Sequence, residues 1–318
     1  EYFGPGVSSI SATGKATITN MGAELGATTS IFPYDRRMKT YLDATKRARI
    51  ATLAEANRDL LTADSEVEAN PERYFDEIIQ IDLDALEPHV VGPHSPDLAR
   101  PVSRMAADVR ANGYPEKLSA ALIGSCTNSS YEDLSRAADV ASQALAKGAT
   151  TRASLWVTPG SEQIEATIHR DGQMATFERL GGTVLANACG PCIGQWFRED
   201  ITEGEVNSII SSFNRNFAKR NDGNPQTSSF IASPEIVIAY ALAGSLSVNP
   251  LTDQLTAADG STYRLAPPAP APEVPKDGFI FKAEGFLAPP ADRSWIEVKV
   301  RKDSARLPLL EPFPAWDG

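Results

Sequence analysis

From Pro101 onward the chain alternates short apolar runs with amphipathic stretches, and no other feature restricts its fold so tightly. Leu118 to Ile123 is an apolar run ending at Gly124, Ser154 to Val157 is a second turned by Pro159-Gly160, Thr183 to Ala186 follows Gly181-Gly182, and Asn207 to Phe213 is β-rich. Between them lie helical spacings. Leu134, Ala138, Ala141 and Leu145 share one face of a helix that Ser130 and Asp133 can cap and Gly148 can stop. Ser233-Pro234-Glu235 starts another helix with an N-cap, a proline in the first position and an acidic first turn, and Gly244 closes it. Strand-length runs joined by helix-length crossovers describe a parallel sheet with covering helices. The predicted class is α/β, with three-layer α/β/α domains built on mostly parallel sheets. Ligands of such sheets bind beyond the carboxyl ends of the strands, so residues that follow strands are the candidates for chemistry.

The stretch before Pro101 is less regular. Gly4-Pro5-Gly6 opens with turn chemistry and Ser8 to Thr19 is small and polar. Gly14-Lys15 lacks the upstream glycine and following Ser/Thr of a phosphate loop, and Gly4-x-Gly6 lacks the third glycine of a dinucleotide fingerprint. Asn20 and Glu24 stand four apart, on one face if this segment is a helix; taken alone, Glu24 is equally a solvated surface carboxylate. Arg36 to Leu61 reads as helical, its basic cluster Arg36, Arg37, Lys39, Lys46, Arg47 and Arg49 as a solvated face. Ile78 to Leu83 is predicted to be a short strand, and Pro88, Pro93, Pro96 and Pro101 mark a connection between domains. His89 and His94 in that connection, and His169 beside Arg170-Asp171-Gly172, read as surface residues rather than ligands. At the far end Asp259-Gly260-Ser261 reads as a hairpin turn, the prolines from Pro267 to Pro275 as a stiff linker, and Trp295 to Val300 as an isolated strand.

The chain has three cysteines, too few for a disulfide scaffold. Cys189 and Cys192 lie in Asn187-Ala188-Cys189-Gly190-Pro191-Cys192-Ile193-Gly194, a spacing used by redox dithiols, zinc sites and iron-sulfur clusters alike. Cys126 sits in Gly124-Ser125-Cys126-Thr127-Asn128-Ser129, again after an apolar run. Three thiolates without a fourth make an incomplete tetrahedron; around a four-iron cluster they would leave one iron open to substrate as a Lewis acid. Cys126 taken alone also fits a small buried hydrophobe. Asn214-Arg215-Asn216-Phe217-Ala218-Lys219-Arg220 follows the fourth run, and guanidinium suits carboxylate recognition because it binds bidentately. Arg215 and Arg220 equally fit surface or inter-domain salt bridges.

Charge narrows the partners. With 30 basic and 41 acidic residues the net charge is -11, which argues against a broad nucleic-acid or acidic-membrane surface. No apolar run approaches the ~20 residues that span a bilayer. Glu1-Tyr2-Phe3 carries neither an initiator Met nor an Arg-rich leader, so any targeting segment is expected to be absent or already removed.

The ordered set Gly124-Ser125-Cys126-Thr127-Asn128-Ser129, Cys189-Gly190-Pro191-Cys192-Ile193-Gly194 and Asn214-Arg215-Asn216-Phe217 resembles the aconitase family along the whole of 1–318, and Ser129-Ser130-Tyr131-Glu132-Asp133 is closest to its mitochondrial type. The resemblance implies a hydro-lyase of the tricarboxylic acid cycle that interconverts citrate and isocitrate through cis-aconitate. It implies a 4Fe-4S cluster on Cys126, Cys189 and Cys192, catalytic roles for Glu24, Asn20 and Asn214, and substrate binding by Arg215 and Arg220. Ala218-Lys219 departs from it, since relatives often carry a small residue before the second arginine. It further implies that the chain is an internal fragment: 1–85 from a second α/β domain, 86–275 the cluster-bearing domain, and 276–318 a linker toward a swivel domain. The N-terminal and swivel parts of a monomeric parent would supply the remaining catalytic groups, leaving this piece alone inactive, in the mitochondrial matrix or a bacterial cytoplasm. The competing readings are homoaconitase or isopropylmalate isomerase, a thioredoxin-like oxidoreductase through Cys189 and Cys192, and an RNA-binding role.

Overall fold

A computed structural model describes residues 1–282, 288–306 and 313–315. The chain divides into two compact units, 1–282 and 283–318.

The first unit opens with helices α1 (Ala12–Glu24), α2 (Arg36–Ala44), α3 (Ala48–Ala56) and α4 (Ser65–Ala69). Ser11 caps α1 by accepting from the Gly14 N–H, and Asp35 caps α2 by accepting from the Met38 N–H. The single helical stretch expected over 36–61 is broken: Lys46 adopts a left-handed φ of 59° between α2 and α3, which ends the ladder of hydrogen bonds. Asp35 also pairs with Lys15, whose side chain is buried, and so pins α1 to α2.

A seven-stranded sheet follows, made of β1 (His89–Val91), β2 (Ala99–Pro101), β3 (Leu118–Gly124), β4 (Ser154–Thr158), β5 (Gly182–Val184), β6 (Asn207–Ser211) and β7 (Thr227–Ile231), in the order β2-β1-β7-β6-β3-β4-β5. From β7 to β5 the strands are parallel; β1 runs antiparallel to both β7 and β2. The proline-rich connection therefore carries an edge hairpin rather than irregular chain alone. The chain moves from β3 to β4 and β5 on one side, then returns to lay β6 and β7 on the other. Its direction reverses between β3 and β6, and in open sheets such a reversal is where a ligand crevice lies, beyond the carboxyl ends of the strands.

Helices α5 (Val102–Asn112), α6 (Tyr131–Leu145), α7 (Glu162–Asp171), α8 (Gln173–Arg179) and α9 (Pro234–Ala243) complete the fold, and a small hairpin of β8 (Leu255–Thr256) and β9 (Thr262–Tyr263) turns at Asp259-Gly260-Ser261. Ala121, Ile123, Leu155, Val157, Ile210 and Phe230 on one sheet face join Leu134, Ala141, Val237 and Ala241 of α6 and α9 in the main core. The other face buries a smaller cluster of Ala120, Leu122, Ile209, Phe213 and Cys192, edged by Trp156 and Trp196. A register shift between Leu118 and Ala120 sets which residues of β3 serve each face. Burying Leu122, Ile209 and Phe213 contributes about 2 kcal/mol each, so the cysteine turn rests on a rigid support.

Two expected strands are absent among the described residues. Ile78 to Leu83 has strand composition, but no strand pairs with it and Ile79 and Ile81 are exposed. Residues 295–300 in the second unit likewise form no strand; their described contacts are local, such as the exposed pair Lys299–Glu297. Alternation of apolar residues does not hold a strand without an edge to complete its hydrogen bonds.

Candidate functional site

The crevice gathers side chains from four places in the sequence. Cys126 follows β3 in a loop whose start is dictated by packing: Gly124 has φ 98°, and a Cβ there would collide with the Thr158 carbonyl at the end of β4. Ser125 continues in the left-handed region at φ 68° while its N–H donates to that carbonyl at 2.9 Å. Asn128 Nδ2 donates to the Ser212 carbonyl at 2.7 Å, and the Ser130–Asp133 capping box then starts α6. Burial pushes the Asp133 carboxyl up to about 6 despite its bonds from Ser130.

Cys189 and Cys192 follow β5. Gly190–Ile193 forms a single 3-10 turn, with the Cys192 N–H donating to the Cys189 carbonyl at 2.8 Å and Gly194 ending it at φ 81°. Cys189 is exposed and Cys192 is 3 % exposed; all three cysteines are free. Burial raises the Cys192 thiol above its ordinary range, the neighbouring Cys126 adds to the rise, and the Ser125 hydroxyl, the Arg220 guanidinium and the Asn214 backbone oppose it. Cys126 and Cys192, far apart in sequence, thus feel each other in the fold. Cys126 is exposed, which excludes the role of a small buried hydrophobe. Among the described residues no three His, Cys, Asp or Glu groups close into a metal-ligand shell; thiolates carry like charge, and such a shell closes around its metal.

The third contribution is the Asn214–Arg220 loop after β6, and the fourth is the carboxyl-terminal half of α1. Asn214 joins them: its Nδ2 donates to Asn20 Oδ1 at 2.9 Å and to Glu24 Oε1 at 3.2 Å, and its Oδ1 accepts from the Cys192 thiol at 3.7 Å. Asn20 and Glu24 share one face of α1, as their spacing predicts, and that face points at this amide. Arg215 pairs with Glu24 and is 46 % exposed, against 17 % for the carboxylate. Glu24 is therefore a paired group rather than a freely solvated one. Arg220 lies with its guanidinium 5.3 Å from the Phe217 ring, and its buried Nε has no hydrogen-bond partner. Such an orphan donor beside a crevice is suited to an anionic ligand.

Sequence reasoning passed over several groups here. Thr127 Oγ1 stands 3.6 Å from the Cys126 sulfur and donates to Asn20 Oδ1 at 3.2 Å, while Thr17 on α1 donates to the Thr127 carbonyl at 3.1 Å. Asn216 and Asn221 are buried, and Arg198 forms a buried ion pair with Asp222 at 3.3 Å. The signal available was the density of asparagines from Asn214 to Asn224, more amides than a solvated loop requires. Lys219 has φ 68°, a conformation that glycine adopts without strain, so the departure at this position falls where the backbone is left-handed. His89, His94 and His169 are all exposed and none enters the crevice.

With this geometry in view, the comparisons identify the lineage. The profile of the Aconitase family (aconitate hydratase) matches residues 1–244. Mitochondrial aconitate hydratases of Saccharomyces cerevisiae and Gracilaria gracilis are each 55% identical to the chain over its full length, and a probable mitochondrial aconitate hydratase of Caenorhabditis elegans is 53% identical. The chain belongs to the aconitase family. It spans about 40% of the length of these curated relatives. Family membership carries with it an iron-sulfur group in general terms.

Proposed function

We propose that this chain is the cluster-holding part of a mitochondrial aconitate hydratase that interconverts citrate and isocitrate through cis-aconitate. The carrying observation is that Asn214, which follows β6 where the sheet reverses direction, accepts from the Cys192 thiol while donating to both Asn20 and Glu24 of α1. Three thiols with no fourth beside an unpartnered guanidinium donor fit a 4Fe-4S cluster next to a polycarboxylate. When bound, such a cluster supplies a Lewis-acidic iron that eases departure of a hydroxyl group.

The chain's own residues do the rest of the work assigned to it. Cys126, Cys189 and Cys192 would hold the group as thiolates, and the Arg220 guanidinium favours the charged form of Cys192 against the effect of burial. Arg220, whose Nε the fold leaves without a partner, receives a substrate carboxylate, and Arg215 receives a second by exchanging its bond to Glu24. Glu24, released from that pair, holds or moves a proton at the substrate hydroxyl, while Asn214, itself held by Asn20, keeps its carboxylate aimed into the crevice. We assign 1–85 to a second domain, 86–275 to the cluster-bearing domain and 276–318 to a linker; the remaining acid-base and carboxylate-binding groups come from other parts of the parent protein.

A dithiol oxidoreductase fits less well. Its attacking thiol gains from a helix N-terminus, whereas here the motif makes a single 3-10 turn, and a dithiol couple would give the exposed Cys126 no role. Anaerobically purified full-length holoprotein should carry iron and sulfide and hydrate cis-aconitate, and Cys126→Ser in it should remove the cluster signal and lower activity on the order of 1,000-fold or more. Unchanged iron content in Cys126→Ser, or disulfide reduction by the metal-free protein, would overturn the reading.

A further inference from the structure

The loop that carries Arg215 and Arg220 is fastened at both ends to one residue of β7. Asn216, 4 % exposed, donates Nδ2 to the Ser229 carbonyl at 3.1 Å. The Ser229 hydroxyl donates to Oδ1 of Asn221 at 2.8 Å. Asn221, 2 % exposed, donates its Nδ2 to the Pro191 carbonyl at 3.1 Å, inside the turn between Cys189 and Cys192. The turn and the loop also meet at Gly194, where a Cβ would stand 3.2 Å from the Arg220 carbonyl oxygen. Just beyond, Asp222 pairs with the buried Arg198, which follows the turn, and accepts from Thr227 at 2.8 Å.

We propose that Asn221 is a positioning residue that sets the separation between the two-thiol turn and Arg220, and thereby fixes where a substrate carboxylate sits relative to whatever the thiols hold. This deepens the proposed function and rests on it. The position calls for an amide, because one neutral side chain must accept from a hydroxyl and donate to a carbonyl at the same time. Aspartate would turn a carboxylate oxygen toward the Pro191 carbonyl, and alanine would leave that carbonyl and the Ser229 hydroxyl without their buried partners. In each case the turn loses its bond to the residue that follows Arg220, and only the Cys192–Asn214 contact at the other end of the loop is left among the described side-chain bonds between turn and loop. The neighbouring ion pair of Arg198 and Asp222 contacts neither Pro191 nor Arg220 by a described bond.

The test compares Asn221→Asp and Ser229→Ala with unaltered full-length holoprotein, reading kcat and KM for citrate, iron per chain and Tm, together with calorimetric citrate binding to the metal-free protein. Asn221→Asp should raise KM roughly tenfold or more, since displacements on the order of 1 Å are enough to spoil a placed contact. Ser229→Ala, which keeps the acceptor for Asn216 and removes only the hydroxyl held by Asn221, should raise it about threefold. Citrate binding to the metal-free protein should weaken in the same order. KM belongs to the active fraction, so a purely structural role would lower Tm or iron content and leave KM and citrate binding unchanged. That pattern overturns the proposal; where Asn221→Asp fails to fold, Ser229→Ala alone decides on the same terms. An unaltered holoprotein inert toward citrate overturns the functional reading and this proposal together, whereas unchanged KM in variants of an active holoprotein overturns this proposal alone.

Discussion

The loop after β3 and the turn after β5 both present cysteines to the same crevice, yet they are held in opposite ways. Gly124 to Ser129 is tied from outside: Gly124 donates to Ser212, Ser125 to Thr158, Asn128 to the Ser212 carbonyl, and Thr127 to Asn20 on α1, itself linked back through Thr17. Cys189 to Gly194 is tied mainly to itself, through the bonds of one 3-10 turn, with Asn214 and Asn221 as its side-chain links to the next loop. The position of Cys126 is thus a property of the whole sheet, whereas the spacing of Cys189 and Cys192 is a property of four residues. Damage to tertiary contacts should move the first thiol and spare the mutual geometry of the other two.

Asn214 is where this contrast can be broken most forcefully, because its amide touches Cys192 on one side and Asn20 and Glu24 on the other. Asn214→Ala should lower kcat of the holoprotein roughly 10- to 100-fold, the range found when a group supporting metal ligands is removed. A loss below about threefold would mean that the two loops are set independently.

A smaller effect concerns only the loop after β3, which runs into the capping box of α6. Burial holds the Asp133 carboxyl up at about 6 against an ordinary 3.8. The folded state therefore binds the proton more tightly than the unfolded chain, and its contribution to stability is full below the unfolded value and lost as pH rises from about 4 through about 6, up to ~3 kcal/mol. Asp133→Asn should flatten the pH dependence of Tm across that window. Equal slopes in the two proteins would show that Asp133 ionises without opposition. The turn after β5 has no equivalent helix cap, so alteration there should leave this slope in place.

The smallest effect is at Lys219, beside Arg220. A left-handed backbone costs a non-glycine residue about 1 kcal/mol, partly offset because glycine gains freedom in the unfolded chain. Lys219→Gly should raise the denaturation midpoint slightly and leave iron content unchanged. A lower midpoint would show that the lysine side chain contributes more than its backbone costs.

Much of the sheet is legible in the sequence because β3, β4 and β6 are apolar or β-branched runs bounded by turn residues. β7 is not: Thr227-Ser228-Ser229 is polar in composition, and its burial makes sense only once Asn216 and Asn221 are seen to occupy Ser229. The break at Lys46 lacks the glycine or proline that normally announces one. Ile78 to Leu83 fails for the converse reason, having the pattern of a strand but no described edge to join. The cysteines and the Asn214–Arg220 loop stand out by motif and by following strands. Thr127, Asn216 and Asn221 do not, because their hydrogen-bond partners lie on other loops and a hydroxyl or amide reveals nothing of its partner in one dimension.

The two outermost strands, β2 and β5, are each only three residues long. β2 ends in Pro101, which has no N–H to offer a newcomer, and its Arg100 is folded back onto Asp108 at 2.7 Å. Neither border presents a long row of open amides, so the sheet ends at its own molecule and gives a second copy no template along which to extend it.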